Sequence, residues 1–196
     1  MFQYRSYAVK EHFGVFKLAD HFDIFDADSG RQVGVATEVL GGVVSQVTRF
    51  FFSKHKRHFP TTVEFREQDD LPVLLTLKRG FSFLRPKVSV IDAENRTIGY
   101  FRTKLISISG GFYVYDTEDK LVAEVKGDWK GFKFKFLTPE GRELGTVDKQ
   151  WGGLMKEMFT SADTYHIKIA EDIGSTPAMS ALLLAAGIAV DIIFKE

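Results

Sequence analysis

Seven cationic side chains fall in two stretches that contain no acid: Lys54, Lys56 and Arg57 in the first, and Lys78, Arg79, Arg85 and Lys87 in the second. They stand among Phe50, Phe51, Phe52, Phe59, Phe81 and Phe83. Cations beside aromatic rings suit an anionic lipid surface, where each Lys or Arg near the headgroups contributes about 1 kcal/mol. Residues 39–91 carry nine bases against four acids, an excess of five, in a chain whose 26 bases and 26 acids cancel. That balance argues against binding nucleic acid through bulk positive charge. The same residues have an architectural alternative, in which the phenylalanines fill an interior and the bases solvate its outside. A surface of this kind can also meet a protein partner.

Other chemistry is sparse. Of the five histidines, His12, His21, His55, His58 and His166, only His55 and His58 are close in sequence, and Lys54, Lys56 and Arg57 beside them disfavour a bound cation. A solvated basic loop follows, so no metal site is expected there. The chain has no cysteine, which excludes disulfides, thiolate-bound zinc and thiol catalysis and suits a reducing, cytoplasmic setting. No phosphate loop, dinucleotide fingerprint, nucleophile elbow or His-Glu-x-x-His zinc helix occurs. Acids gather at turns rather than in pairs that could share a proton, so neither an enzyme nor a cofactor is expected.

The elements that must position these residues are mostly strands. Four segments repeat one pattern: an alternating apolar run, an Asp- or Pro-containing turn, and a second run that often carries Ile-Gly or Val-Gly. They are Phe22 to Gly34, Val88 to Gly99, Phe112 to Val125 and Phe132 to Val147. Asp26, Asp92, Asp116 and Pro139 suit the turns, because Asp bonds its own backbone and Pro pre-sets a turn angle. Thr62 to Phe65 and Leu74 to Leu77 form a less regular fifth copy, and Tyr4 to Val9, Gly14 to Leu18 and Thr164 to Ile169 are also strand-like. About a dozen strands with a polar outside favour closure, since exposed edges aggregate. In Lys133-Phe134-Lys135-Phe136 the period of two points Phe inward and Lys outward.

The C-terminus differs. Ala178 to Val190 is a run of 13 residues without a charge, followed by Asp191-Ile192-Ile193-Phe194. At about 1.5 Å per residue it reaches roughly 20 Å, short of the 30 Å or so of a hydrocarbon core. Thr176-Pro177 reads as a helix N-cap followed by Pro at the first helical position. A helix apolar all round yet too short to span is expected inside its own protein, as the filler of a wide barrel. No linker divides the chain, so residues 1–196 read as one domain.

Lys149-Gln150-Trp151-Gly152-Gly153-Leu154-Met155, continuing to Asp163-Thr164-Tyr165 and the apolar segment ending Val190-Asp191-Ile192-Ile193-Phe194, resembles the C-terminal signature of phospholipid scramblases. Tyr7-Ala8-Val9-Lys10-Glu11-His12 and Phe22-Asp23-Ile24-Phe25-Asp26 resemble the start of bacterial scramblase-related proteins, which group with the LURP-one-related and tubby C-terminal families. The resemblance covers nearly the whole chain. It implies a mainly β, closed tubby-like barrel of about twelve strands around a buried C-terminal helix. It also implies a non-enzymatic module that binds lipid or a membrane surface. The alternatives are a soluble protein-interaction scaffold on the same barrel and a membrane-anchored protein with scramblase activity.

The Pro-rich N-terminal region and palmitoylated Cys cluster of animal scramblases have no counterpart here. Their proposed calcium loop corresponds to Ser161 through Asp172, where Ser replaces the first acid, Tyr165 stands fifth and His166 sixth. Asp163 and Asp172 remain the weak calcium candidates, too few hard ligands for a loop of the EF-hand kind. Tubby domains bind phosphoinositides through surface Lys and Arg, but no motif carries those positions onto this chain. The seven cations named above are therefore the headgroup candidates, with the protein placed in the cytoplasm or peripheral to a membrane.

Overall fold

Period-two alternation sets the architecture. In a computed structural model, which describes residues 1–12, 19–39, 60–80, 87–104, 111–128, 132–149, 164–171 and 177–194, most strands bury alternate side chains, while β1, β3 and β7 also bury parts of their outer faces. The first six are β1 (Ser6–Glu11), β2 (His21–Asp26), β3 (Gln32–Val39), β4 (Thr61–Arg66), β5 (Leu75–Arg79) and β6 (Lys87–Asp92). The others are β7 (Thr97–Thr103), β8 (Gly111–Tyr115), β9 (Leu121–Asp128), β10 (Lys133–Leu137), β11 (Glu143–Asp148) and β12 (Thr164–Ile169). Each pairs antiparallel with its sequence neighbours, and β1 pairs with β12, so the meander closes into a twelve-stranded barrel with no free edge. In β10 Phe134 and Phe136 are buried while Lys133 and Lys135 are exposed, as the alternation predicts. The Gly14 to Leu18 segment lies outside the described residues.

The recurrent sequence pattern is a recurrent hairpin. In β2–β3 Ile24 opposes Gly34 but Phe25 opposes Gln32, so Val33 is an extra residue. The same one-residue bulge places Ile98 before Gly99 in β6–β7, Val122 before Ala123 in β8–β9 and Leu144 before Gly145 in β10–β11. Each first strand ends beside a side chain that holds the turn. Asp26 accepts from the Asp28 and Ser29 amides, Asp92 from the Arg96 amide, Asp116 from those of Glu118 and Lys120, and Thr138 Oγ1 from that of Arg142. Three or four residues later the chain turns through a positive φ at Gly30, Asn95, Asp119 and Gly141. Asn and Asp tolerate that conformation best after Gly.

The bulge glycines sit where the next strand crosses close. A Cβ on Gly99 would lie 2.6 Å from the Tyr115 carbonyl oxygen, one on Gly145 2.4 Å from that of Lys168, and one on Gly34 2.9 Å from that of Arg66. The Ile/Val-Gly signature thus has a steric cause.

The helix α1 (Pro177–Phe194) runs about 27 Å at 1.5 Å per residue. Leu183, Leu184, Ala185, Ala186, Ile188, Ala189 and Val190 are all buried, on every side of the helix, in one core with the inward Phe, Val, Ile and Leu of the strands. Pro177 opens it, as expected, while Thr176, the cap expected from the sequence, lies outside the described residues. A Cβ on Gly187 would meet Ile167 Cδ1 at 2.3 Å and Val147 Cγ2 at 3.6 Å, so the small residue lets the helix lie against β11 and β12. Burial pushes the Tyr7 phenol up to about 12, so it stays protonated inside the barrel.

Candidate functional site

Outward-facing residues of β5 to β9 line up across the barrel wall by register. One row runs Lys78, Ser89, Tyr100, Tyr115. The next runs Lys87, Arg102, Tyr113, Glu124. Five strands at about 4.8 Å spacing give the face a width of about 19 Å.

Within it the cations lie on rings. Lys87 Nζ sits 3.8 Å from the Tyr100 ring centroid, and the Arg102 guanidinium lies 5.2 Å from Tyr100 and 5.8 Å from Tyr115. Tyr100 stacks on Tyr115 at 5.0 Å, Tyr113 meets Tyr115 edge-on at 6.3 Å, and Lys104 Nζ is 5.1 Å from Tyr113. Tyr100, although on the outer face, is only 4% exposed because Lys87, Arg102 and Tyr115 cover it. Such contacts hold a long cationic side chain over a flat apolar base with its charge still directed outward.

The acids of this face are engaged. Glu124 binds Lys104 at 2.5 Å and Lys126 at 3.0 Å. Burial pushes its carboxyl up, but the two lysines outweigh burial and hold it below the usual carboxylate range. Tyr100 donates to Asp119 Oδ1 at 2.6 Å, and that bond, with burial, raises the phenol and keeps it neutral. Lys78, Lys87, Arg102, Lys104 and Lys126 therefore stand against Glu124, Asp119 and the exposed Asp128 at the end of β9.

Of the seven headgroup candidates from the sequence, Lys78 and Lys87 are exposed on this face. Arg79 is not: it is 4% exposed and its guanidinium donates to Thr61 Oγ1 at 2.9 Å. Its parity with the inward Leu75 and Leu77 carries it into the barrel. Lys54, Lys56, Arg57 and Arg85 lie outside the described residues, as do Asp163 and Asp172. Between those two acids, Thr164–Ile169 is β12, an extended strand paired on both sides rather than a loop wound round an ion.

Arg102, Lys104, Lys126 and the three tyrosines are absent from the sequence-based set. Their signal is the alternation of Tyr113 and Tyr115 around buried Val114, but joining them to Lys87 requires the strand register.

No solved structure matches the chain. The family model described as Scramblase matches residues 5–196, essentially the full length, and the chain belongs to the scramblase family.

Proposed function

We propose that the outer face of β5 to β9 binds anionic phospholipid headgroups, and that the protein is a non-enzymatic module working peripherally at a membrane surface. The observation that carries this is the arrangement of Lys87 and Arg102 over the Tyr100–Tyr115 stack. Tyrosine suits the headgroup level, being apolar in its ring and polar at its tip, and the pinned cations meet phosphate with little further ordering. Lys54, Lys56, Arg57 and Arg85 remain headgroup candidates on sequence grounds. Among the described residues no helix is long and apolar enough to cross a membrane, and the apolar side chains of α1 from Ala181 to Val190 pack into the core. Binding at a surface is therefore favoured over anchoring.

Co-sedimentation with phosphatidylcholine vesicles, with and without phosphatidylserine, tests the proposal. Binding should require the anionic lipid and weaken as salt rises, because exposed charges are screened within about 8 Å at physiological ionic strength. At about 1 kcal/mol per cation, Lys87→Gln with Arg102→Gln should weaken partitioning about 30-fold. Lys54→Glu, Lys56→Glu and Arg57→Glu together should weaken it as well with the fold intact. Equal binding to neutral and anionic vesicles at low salt would discard the lipid surface and favour a protein partner.

A further inference from the structure

On strands β1 to β3, apart from the cationic face, two histidines and an aspartate converge. His21 and Asp23 are two residues apart on β2 and share its outer face, and His12 follows β1 with its amide donating to the His21 carbonyl at 2.9 Å. His12 Nε2 lies 2.5 Å from Asp23 Oδ2, and His21 Nε2 lies 3.4 Å from Asp23 Oδ1. One ligand atom from each of the three falls within 4.8 Å of the others. From this geometry we infer that His12, His21 and Asp23 form a binding site for a divalent transition metal ion of the zinc class.

Bonds of about 2.0–2.1 Å to a tetrahedral ion place its ligand atoms about 3.3 Å apart. The observed separations bracket that value, so small side-chain rotations bring the three atoms to an ion. The surroundings already orient them. His21 Nδ1 is 2.9 Å from Thr37 Oγ1, a contact that directs Nε2 toward Asp23, and Gln32 Nε2 donates to Asp23 Oδ1 at 3.1 Å. Outer partners of this kind fix ring orientation in metal sites. The side chains of His12, His21 and Asp23 are 35%, 22% and 20% exposed, which leaves an ion an approach and room for water as a further ligand. Two imidazoles and one carboxylate select zinc, copper, nickel or cobalt over calcium or magnesium, which prefer oxygen alone. Lys10 opposes Asp23 in the β1–β2 register, and its charge further disfavours ions held by electrostatics only. A bound ion would tie the end of β1 to β2, stabilising the folded chain in proportion to its occupancy.

The test is titration of the untagged full chain with zinc sulfate, followed by calorimetry and native mass spectrometry, with cobalt absorption as a report on ligand geometry. One ion should bind per chain and raise the melting temperature, and EDTA should reverse both effects. His12→Gln and His21→Gln should each abolish saturable binding, and Asp23→Asn, which retains hydrogen-bonding capacity at the site, should do the same. Thr37→Val, which removes only a positioning contact, should weaken binding about 10- to 100-fold. His55→Gln with His58→Gln should leave it unchanged. Melting of every variant in EDTA establishes that it is folded. Absence of saturable binding by the wild type overturns the inference. So does binding that survives in folded His12→Gln and His21→Gln, or that disappears with His55 and His58.

Discussion

His166 shows how a strand position defines a side chain's chemistry. It faces outward from β12, opposite Ala8 on one side and Asp148 on the other, and its Nε2 lies 2.6 Å from Ser6 Oγ. Burial lowers its pKa first of all; Lys168 lowers it further, while Asp148 and Asp28 pull against them. A base whose folded pKa is depressed binds its proton more readily when unfolded. Stability from this group is therefore present above the unfolded value of about 6.5 and is lost as pH falls from there through the folded value. The melting temperature of the wild type should thus drop more between about pH 7 and pH 5 than that of His166→Gln, which does not titrate. Parallel slopes in circular dichroism melts would show that His166 is as easily protonated folded as unfolded. In the sequence, His166 stands sixth in a segment resembling a calcium loop, and nothing local reveals Ser6, 160 residues away, as its neighbour.

Among the elements, the bulged hairpin is the unit from which the barrel is repeated. Its outline was legible because alternation and Asp turns are local signals: all four regular copies and the less regular Thr62–Leu77 pair became strand pairs. The bulge was not, since an extra residue appears only when the partner register is known; its trace was the Ile-Gly or Val-Gly pair. On β5 the signal was present but misread: Leu75, Leu77 and Arg79 share a parity that places Arg79 inside and Lys78 outside, whereas the acid-free stretch alone put both among the surface cations. The steric account of the bulges is testable by exchange. Gly99→Ala should destabilise the chain by about 1–3 kcal/mol, the usual cost of overpacking, because its methyl would press on the Tyr115 carbonyl. The third copy carries Ala123 at the corresponding place, 3% exposed, and there Ala123→Gly should also destabilise, by about 1–2 kcal/mol from lost methyl burial and added backbone freedom. Urea unfolding of both variants decides it; a Gly99→Ala protein as stable as wild type would mean that β7 and β8 do not approach as closely as described.

As a whole the molecule is a sheet rolled round a helix, and the two halves of that statement require each other. Twelve strands enclose a lumen too wide for their own side chains to fill. A helix apolar on every face has no soluble position except inside such a lumen. The complementarity is what made the buried helix inferable from Ala178 to Val190, although the sequence could not say which strands it touches. Gly187 against Ile167 and Val147 supplies that information, and with it a test independent of membranes. Gly187→Ala should destabilise on balance: its Cβ would fall 2.3 Å from Ile167 Cδ1, an overpacking cost of about 1–3 kcal/mol, offset in part by the roughly 1 kcal/mol that alanine gains over glycine inside a helix. Ile167→Val removes that carbon and alone should cost about 0.5–1.5 kcal/mol. Combined, the two changes should cost less than their sum, with a coupling of about 0.5 kcal/mol or more, because the valine makes room for the new methyl. Full chemical denaturation of the wild type, both single variants and the double variant gives the cycle. Strict additivity would place α1 somewhere other than against β12, whereas the expected coupling requires helix and wall to be in contact in the folded chain.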